Sequence, residues 1–176
     1  MTDSDTTARS VYIWVREGTW RAAIDAALSL APADASFTLL HVTDDAGPDA
    51  AHGAYLGMFG RVGHDPGARL GELATSAAAD LLQAAARRLG RPCARLDLHG
   101  HAERAVVTAS AGADLLVMTR DGDQSRPGPR SLGRAGRFIV DHATCPVLLV
   151  WPGPPPRDTP GGPRTPGKPD RGCHGL

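Results

Sequence analysis

The chain has 176 residues, with 19 basic against 19 acidic side chains and a formal net charge of zero. That length is most simply one domain of about 100–150 residues plus short ends. The even charge excludes a dedicated nucleic-acid binder, which carries a basic surplus, and an acidic polyanion mimic.

Met1–Ser10 carries Asp3 and Asp5 where a signal peptide needs positive charge, and no apolar run reaches the length of a membrane span. The expectation is a cytoplasmic protein. Val11-Tyr12-Ile13-Trp14-Val15 reads as a short apolar strand, ended by Arg16-Glu17-Gly18. From Trp20 the apolar positions Ala23, Ile24, Ala27, Leu28 and Ala31 recur at helical spacing until Pro32. Phe37–Val42 is a second strand. Thr43–Gly67 is polar and Gly-rich around an apolar island, Tyr55–Phe59, long enough to suggest a lid, a short helix or a binding segment. Asp65-Pro66 supplies an N-cap and first-turn pair. The helix after it places Leu70, Leu73, Ala74, Ala77, Leu81, Ala85 and Leu89 on one stripe.

Cys93–Leu98 alternates as a third strand, and a short helix after Gly100 carries Ala102, Ala105, Val106 and Ala109. Ala113–Met118 is nearly continuous in apolar character, as befits a central parallel strand covered on both faces. A polar loop, Thr119–Gly133, leads to a helix over about Arg134–His142 and a fifth strand, Cys145–Val150. The last 25 residues hold 8 Pro and 6 Gly without apolar periodicity, the signature of a disordered tail. Domain boundaries are therefore 1–9, 10–151 and 152–176. Strand and helix alternate, which implies an open, doubly wound, five-stranded parallel α/β sheet, Rossmann-like, with right-handed crossovers. Such sheets take ligands beyond the strand carboxyl ends, where the strand order reverses.

Side-chain chemistry is sparse. The three cysteines, Cys93, Cys145 and Cys173, match no zinc or redox spacing, and Cys93 and Cys145 read as small hydrophobes. Seven histidines suggest no third ligand to join His99 and His101. No Ser/His/Asp order or Cys/His pair points to covalent catalysis. His41 reads as a hydrogen-bonded core residue, His142 as a charge at a helix C-terminus, Asp114 as structural and Trp14 as packing. Trp20 begins a helix beside the ligand end of the first strand.

Three segments carry a resemblance. Ala113-Asp114-Leu115-Leu116-Val117-Met118 is followed by a polar loop and Gly133. The next helix then runs into His142-Ala143-Thr144-Cys145-Pro146-Val147-Leu148-Leu149-Val150, and Leu39-Leu40-His41-Val42 ends the second strand. In these the chain resembles a universal stress protein domain over about Ser10–Trp151. The resemblance implies strand order 3-2-1-4-5, pairing as a homodimer through the edge strand Cys145–Val150, and a regulatory role. For nucleotide-binding members it implies an adenine nucleotide, ATP with Mg²⁺, held by an acidic residue after strand one, the end of strand two, and a G-x-x-G, then G-[S/T] loop after strand four.

Carried over, the adenosine falls to Val15, Arg16, Glu17 and Val42, and the phosphates to Thr119, Gly122, Arg130, Gly133, Arg134 and Ala135. Three departures stand out: Arg16-Glu17-Gly18-Thr19 replaces Asp-Gly-Ser/Thr, Thr119-Arg120-Asp121-Gly122 keeps only the second glycine, and Arg134 replaces the hydroxyl. Glycines let backbone N–H groups close on phosphate, and a helix-start hydroxyl caps and donates. In compensation the loop carries Arg120, Arg126, Arg130 and Arg134, able to grip phosphate bidentately, with Ser131 as a substitute hydroxyl. Asp121 and Asp123 stand as Mg²⁺ contacts or as ion-pair partners of those arginines. The alternative is a dimeric scaffold that has lost the ligand and works through protein contacts.

Overall fold

A computed structural model describes residues 9–43, 66–123, 125 and 129–154, with helical backbone but not side-chain placement over 66–72. The Tyr55–Phe59 island, Asp65, Arg126 and residues 155–176 lie outside the described residues. Five strands, β1 (Ser10–Trp14), β2 (Ser36–Thr43), β3 (Cys93–His99), β4 (Leu115–Thr119) and β5 (Val147–Val150), form one parallel sheet in the order β3-β2-β1-β4-β5. Among the described residues four α-helices connect them: α1 (Trp20–Leu30), α2 (Pro66–Leu89), α3 (Ala102–Ala109) and α4 (Arg134–His142).

Strand residues alternate between the two faces, as the period of two demands. Val11, Ile13, Val15, Phe37, Leu39 and Val117 pack against Trp20, Ala23, Ile24 and Ala27 of α1 and Leu82, Ala85 and Leu89 of α2. Trp14, Leu40, Leu116 and Met118 pack on the other face against Val106 of α3 and Ile139 of α4. The sheet is thus doubly wound, and a fully buried side chain such as Ile13 or Leu39 contributes about 1.5–3 kcal/mol through burial.

Two sequence expectations are corrected. The fifth strand begins at Val147 and not at Cys145. Pro146 has no N–H for the ladder, and its carbonyl instead accepts from Leu116 N at 2.9 Å, which leads the chain into the strand. Cys145 is buried in the α3–α4 core just before it, and Cys93 is partly buried within β3. The α2 stripe is also displaced. Ala78, Leu82, Ala85 and Leu89 form the buried row, while Leu73 is 61% exposed. Ala74 and Ala77 line a cleft, where their small side chains leave a gap beside the sheet, and Leu81 both lines that cleft and packs against the core as expected.

Candidate functional site

β1 and β4 are neighbours whose connections leave in opposite directions, so the strand order reverses between them. On the β2 side of β1, the carboxyl ends of the strands open into a cleft of about 790 Å³. Its walls are Glu17 and Gly18 from the β1–α1 turn, Trp20 and Arg21 from α1, His41–Thr43 from β2, and an alanine-rich face of α2. Glu17 and Val42, expected at the adenosine, both line it. Val15 does not: it is fully buried, donates its N–H to the Leu40 carbonyl at 2.8 Å and accepts from His41 Nδ1 at 3.0 Å. His41 is therefore tied to the end of β1, protonated on Nδ1. Trp20 is 6% exposed and serves as both core residue and cleft wall, with the Arg21 guanidinium 4.6 Å over its ring.

On the β4 side the ends are stitched together. Thr119, expected at the phosphates, is buried and pairs its hydroxyl with that of Thr19 at 2.8 Å. Arg16 lies 3.6 Å from the Asp121 carboxylate and 4.8 Å over the Trp14 ring. Asp121 reaches on to the start of α4. Its Oδ1 accepts from Gly133 N at 2.7 Å and its Oδ2 from Gly136 N at 3.1 Å. A helix start leaves backbone donors without intrahelical partners and a partial positive charge, which an acidic side chain satisfies. α4 has no acidic residue in its first turn and no cap from its own Gly133 side, so Asp121 supplies both from twelve residues upstream.

The other expected phosphate contacts scatter. Gly122 lies beside Gly133 and donates its N–H to Ser131. Arg130 is exposed, and its carbonyl accepts from Asp123 N at 2.8 Å. Arg134 lines a separate groove with Glu103, Arg104, Arg137 and Asp141, and Ala135 packs on the α3–α4 core. Arg120 turns inward, donating to Ser131 Oγ at 2.5 Å and stacking 4.6 Å over Trp151. Ser131 is fully buried in that contact, not placed at the helix start. Asp121 pairs with Arg16, which precedes the loop, and Asp123 accepts from Ser125 N and Oγ at 2.9 and 2.6 Å. His142 hydrogen-bonds the Phe138 carbonyl at 2.9 Å, at the α4 C-terminus as expected. Among the described residues no group of three or more His, Cys, Asp or Glu could hold a metal ion, and no helix is long and apolar enough to cross a membrane.

Sequence reasoning overlooked Gly136 and the alanine face of α2. The signal for the first was a second glycine three residues after Gly133, in a first turn where glycine costs helix stability.

This architecture, a 3-2-1-4-5 parallel sheet with a cleft at the carboxyl ends of β1 and β2, defines a Rossmann-like α/β domain. Residues 17–150 match the Universal stress protein family, and the chain belongs to that family. Many solved structures share its fold, three of them as follows. UspA from Lactobacillus plantarum is 21% identical, with a TM-score of 0.58 over 82% of this chain and 99% of its own. A universal stress protein in complex with cAMP is 17% identical, with a TM-score of 0.56 over 84% and 100%. A family member from Arabidopsis thaliana with AMP bound is 18% identical, with a TM-score of 0.52 over 81% and 90%. No curated protein sequence matches the chain.

Proposed function

We propose that this protein is a regulatory, non-catalytic member of its family that binds an adenine nucleotide, with the nucleoside in the β1–β2 cleft. The observation that carries this reading is the cleft itself: about 790 Å³ at the carboxyl ends of β1 and β2, within the range of small-molecule sites. Val42 and Trp20 offer apolar surface to a base, and Glu17 and Asp80 offer carboxylates to ribose hydroxyls. Relatives of the same fold hold cAMP and AMP, which supports the ligand class. Calorimetric titration of the full chain with adenosine, AMP and cAMP tests it. Saturable heat is expected, and Ala77→Phe, which fills the cleft from α2, weakens binding at least tenfold. Absence of heat at millimolar concentrations of all three ligands overturns the reading.

A second reading, pairing of two copies along β5, is favoured by one observation. β5 is an edge strand whose four residues are all only partly buried, and an unpaired edge is a template for another strand. Light scattering after size exclusion is expected to give twice the protomer mass; a monomer at micromolar concentration overturns it.

A further inference from the structure

We infer that Asp121 determines which adenine nucleotides the crevice takes: its carboxylate stands in the phosphate seat at the start of α4, so the site accepts the nucleoside and rejects a polyphosphate chain. This rests on the nucleoside occupying the β1–β2 cleft, and it names the ligand class within that reading.

The seat is built around the carboxylate. The two α4 donors that an incoming phosphate would use, Gly133 N and Gly136 N, are each taken by one Asp121 oxygen, at 2.7 and 3.1 Å. The neighbouring cation, Arg16, is turned to the same group. The Asp121 side chain is only 4% exposed, so it is packed into place rather than swung across an open cradle. Both glycines are required by that close approach. A β carbon on Gly133 would come to 2.8 Å from Asp121 Oδ2, and one on Gly136 would overlap Asp121 Oδ1. A hydroxyl cap at the helix start would have served the helix and left room for phosphate; a long-range carboxylate serves the helix and closes the room.

Charge acts in the same direction. A phosphate brought to these donors would meet a buried like charge within hydrogen-bond reach, which is strongly unfavourable where water is excluded. The residues here therefore do not fit a triphosphate. Two of the loop arginines are engaged elsewhere: Arg120 is committed to Ser131 and Trp151, and Arg134 lies in the groove beside α3. Glu17 and Asp80 in the cleft suit hydroxyl donors better than anions.

The test compares adenosine, AMP, ATP and inorganic tripolyphosphate on the full chain by calorimetry, for wild type, Asp121→Gly and Asp121→Asn. Wild type is expected to bind adenosine at least tenfold more tightly than ATP and to ignore tripolyphosphate. Asp121→Gly is expected to raise ATP affinity at least tenfold, leave adenosine within threefold, and acquire tripolyphosphate binding. Asp121→Asn keeps the side-chain shape without its charge and serves if the glycine variant melts too early. The ranking in wild type needs no variant. Tighter binding of ATP than adenosine by wild type overturns the inference, as does an unchanged ATP-to-adenosine ratio in folded variants that still bind adenosine. Tripolyphosphate binding gained by a variant in the absence of any nucleoside binding supports the filled seat and sinks the nucleoside reading. Silence of every ligand with every protein overturns both.

Discussion

On the β2 side of β1 the chain leaves a cleft of about 790 Å³ between α1 and α2, whereas on the β4 side Thr19, Thr119, Arg16 and Asp121 close the strand ends upon one another. The two regions share one backbone plan, with strand ends and a following helix start pointing toward the same crevice. They differ in side-chain size and charge. Small residues on α2, Ala74, Ala77 and Ala84, keep the first region open, and one aspartate with two glycines fills the second. A fold can therefore retain the geometry of a two-part site while its side chains keep only one part available.

Four substitutions or conditions break or sharpen this contrast. The largest effect belongs to Trp20→Ala, which removes a nearly buried indole shared by the core and the open cleft. Loss of about 3–5 kcal/mol in denaturant-melt stability is expected. A loss under about 1 kcal/mol would show that this wall is not part of the core. Gly122→Ala follows. Its β carbon would overlap the backbone carbonyl oxygen of Arg130 and crowd Gly133 N at 2.9 Å, and no side-chain rotation relieves a backbone clash. Destabilisation of about 2–3 kcal/mol is expected on thermal or chemical melting.

Gly136→Ala gives a smaller and more discriminating signal. Alone it is expected to cost about 1–2 kcal/mol, the worth of displacing a charged hydrogen bond. Placed on Asp121→Gly, it meets Leu132 Cδ1 at 2.8 Å, the movable end of a side chain, so the helix gain of about 0.5–1 kcal/mol for alanine over glycine should offset that contact and turn the cost neutral or slightly favourable. A double-mutant cycle on melting data reads this loss of the penalty, and additive effects would deny the contact.

The smallest effect lies at the opposite end of the sheet, away from both regions. Ser10 N and Oγ donate to the Asp114 carboxylate at 2.7 and 3.0 Å and hold it below the usual value of 3.8, with Arg9 adding to this. A depressed carboxylate contributes stability that is complete above its unfolded value and disappears as pH falls through the folded one. Wild type should thus lose stability below about pH 4 more steeply than Asp114→Asn, measured by melting temperature across an acid series. Equal slopes would remove Asp114 from the acid transition.

The fold was largely legible because its signals are local. Runs such as Leu115–Thr119 and the spacing of Ala23, Ile24 and Ala27 depend only on neighbours along the chain. Pro66 and Gly90 mark the ends of α2 by their own backbone chemistry. The open half of the site was partly legible, since Glu17 and Val42 stand where strands end. The filled half was not. Asp121 could equally have met a cation or an arginine of its own loop, and choosing among these depends on a loop path that brings residue 121 over residues 133 and 136. The α2 stripe was misplaced for a related reason: alanine is apolar enough to count as core and small enough to leave a void.

The strand order has a consequence for how the chain assembles. β1 and β2 are close in sequence, but β1 meets its other neighbour, β4, only across about a hundred residues: Val11 pairs with Leu115 and Ile13 with Val117. As the polypeptide emerges from the ribosome, β1, β2 and β3 can join first, with the far edge of β1 still bare. The late arrival of β4 seals that edge, places an apolar strand in the centre of the sheet and brings Thr119 and Asp121 to the end of β1. Slow, non-local pairing of this kind leaves an exposed sheet edge in the meantime. A nascent chain stalled before residue 115 would therefore be sticky, with every wall of the β1–β2 cleft already synthesised and the Asp121 contact at the start of α4 still to come.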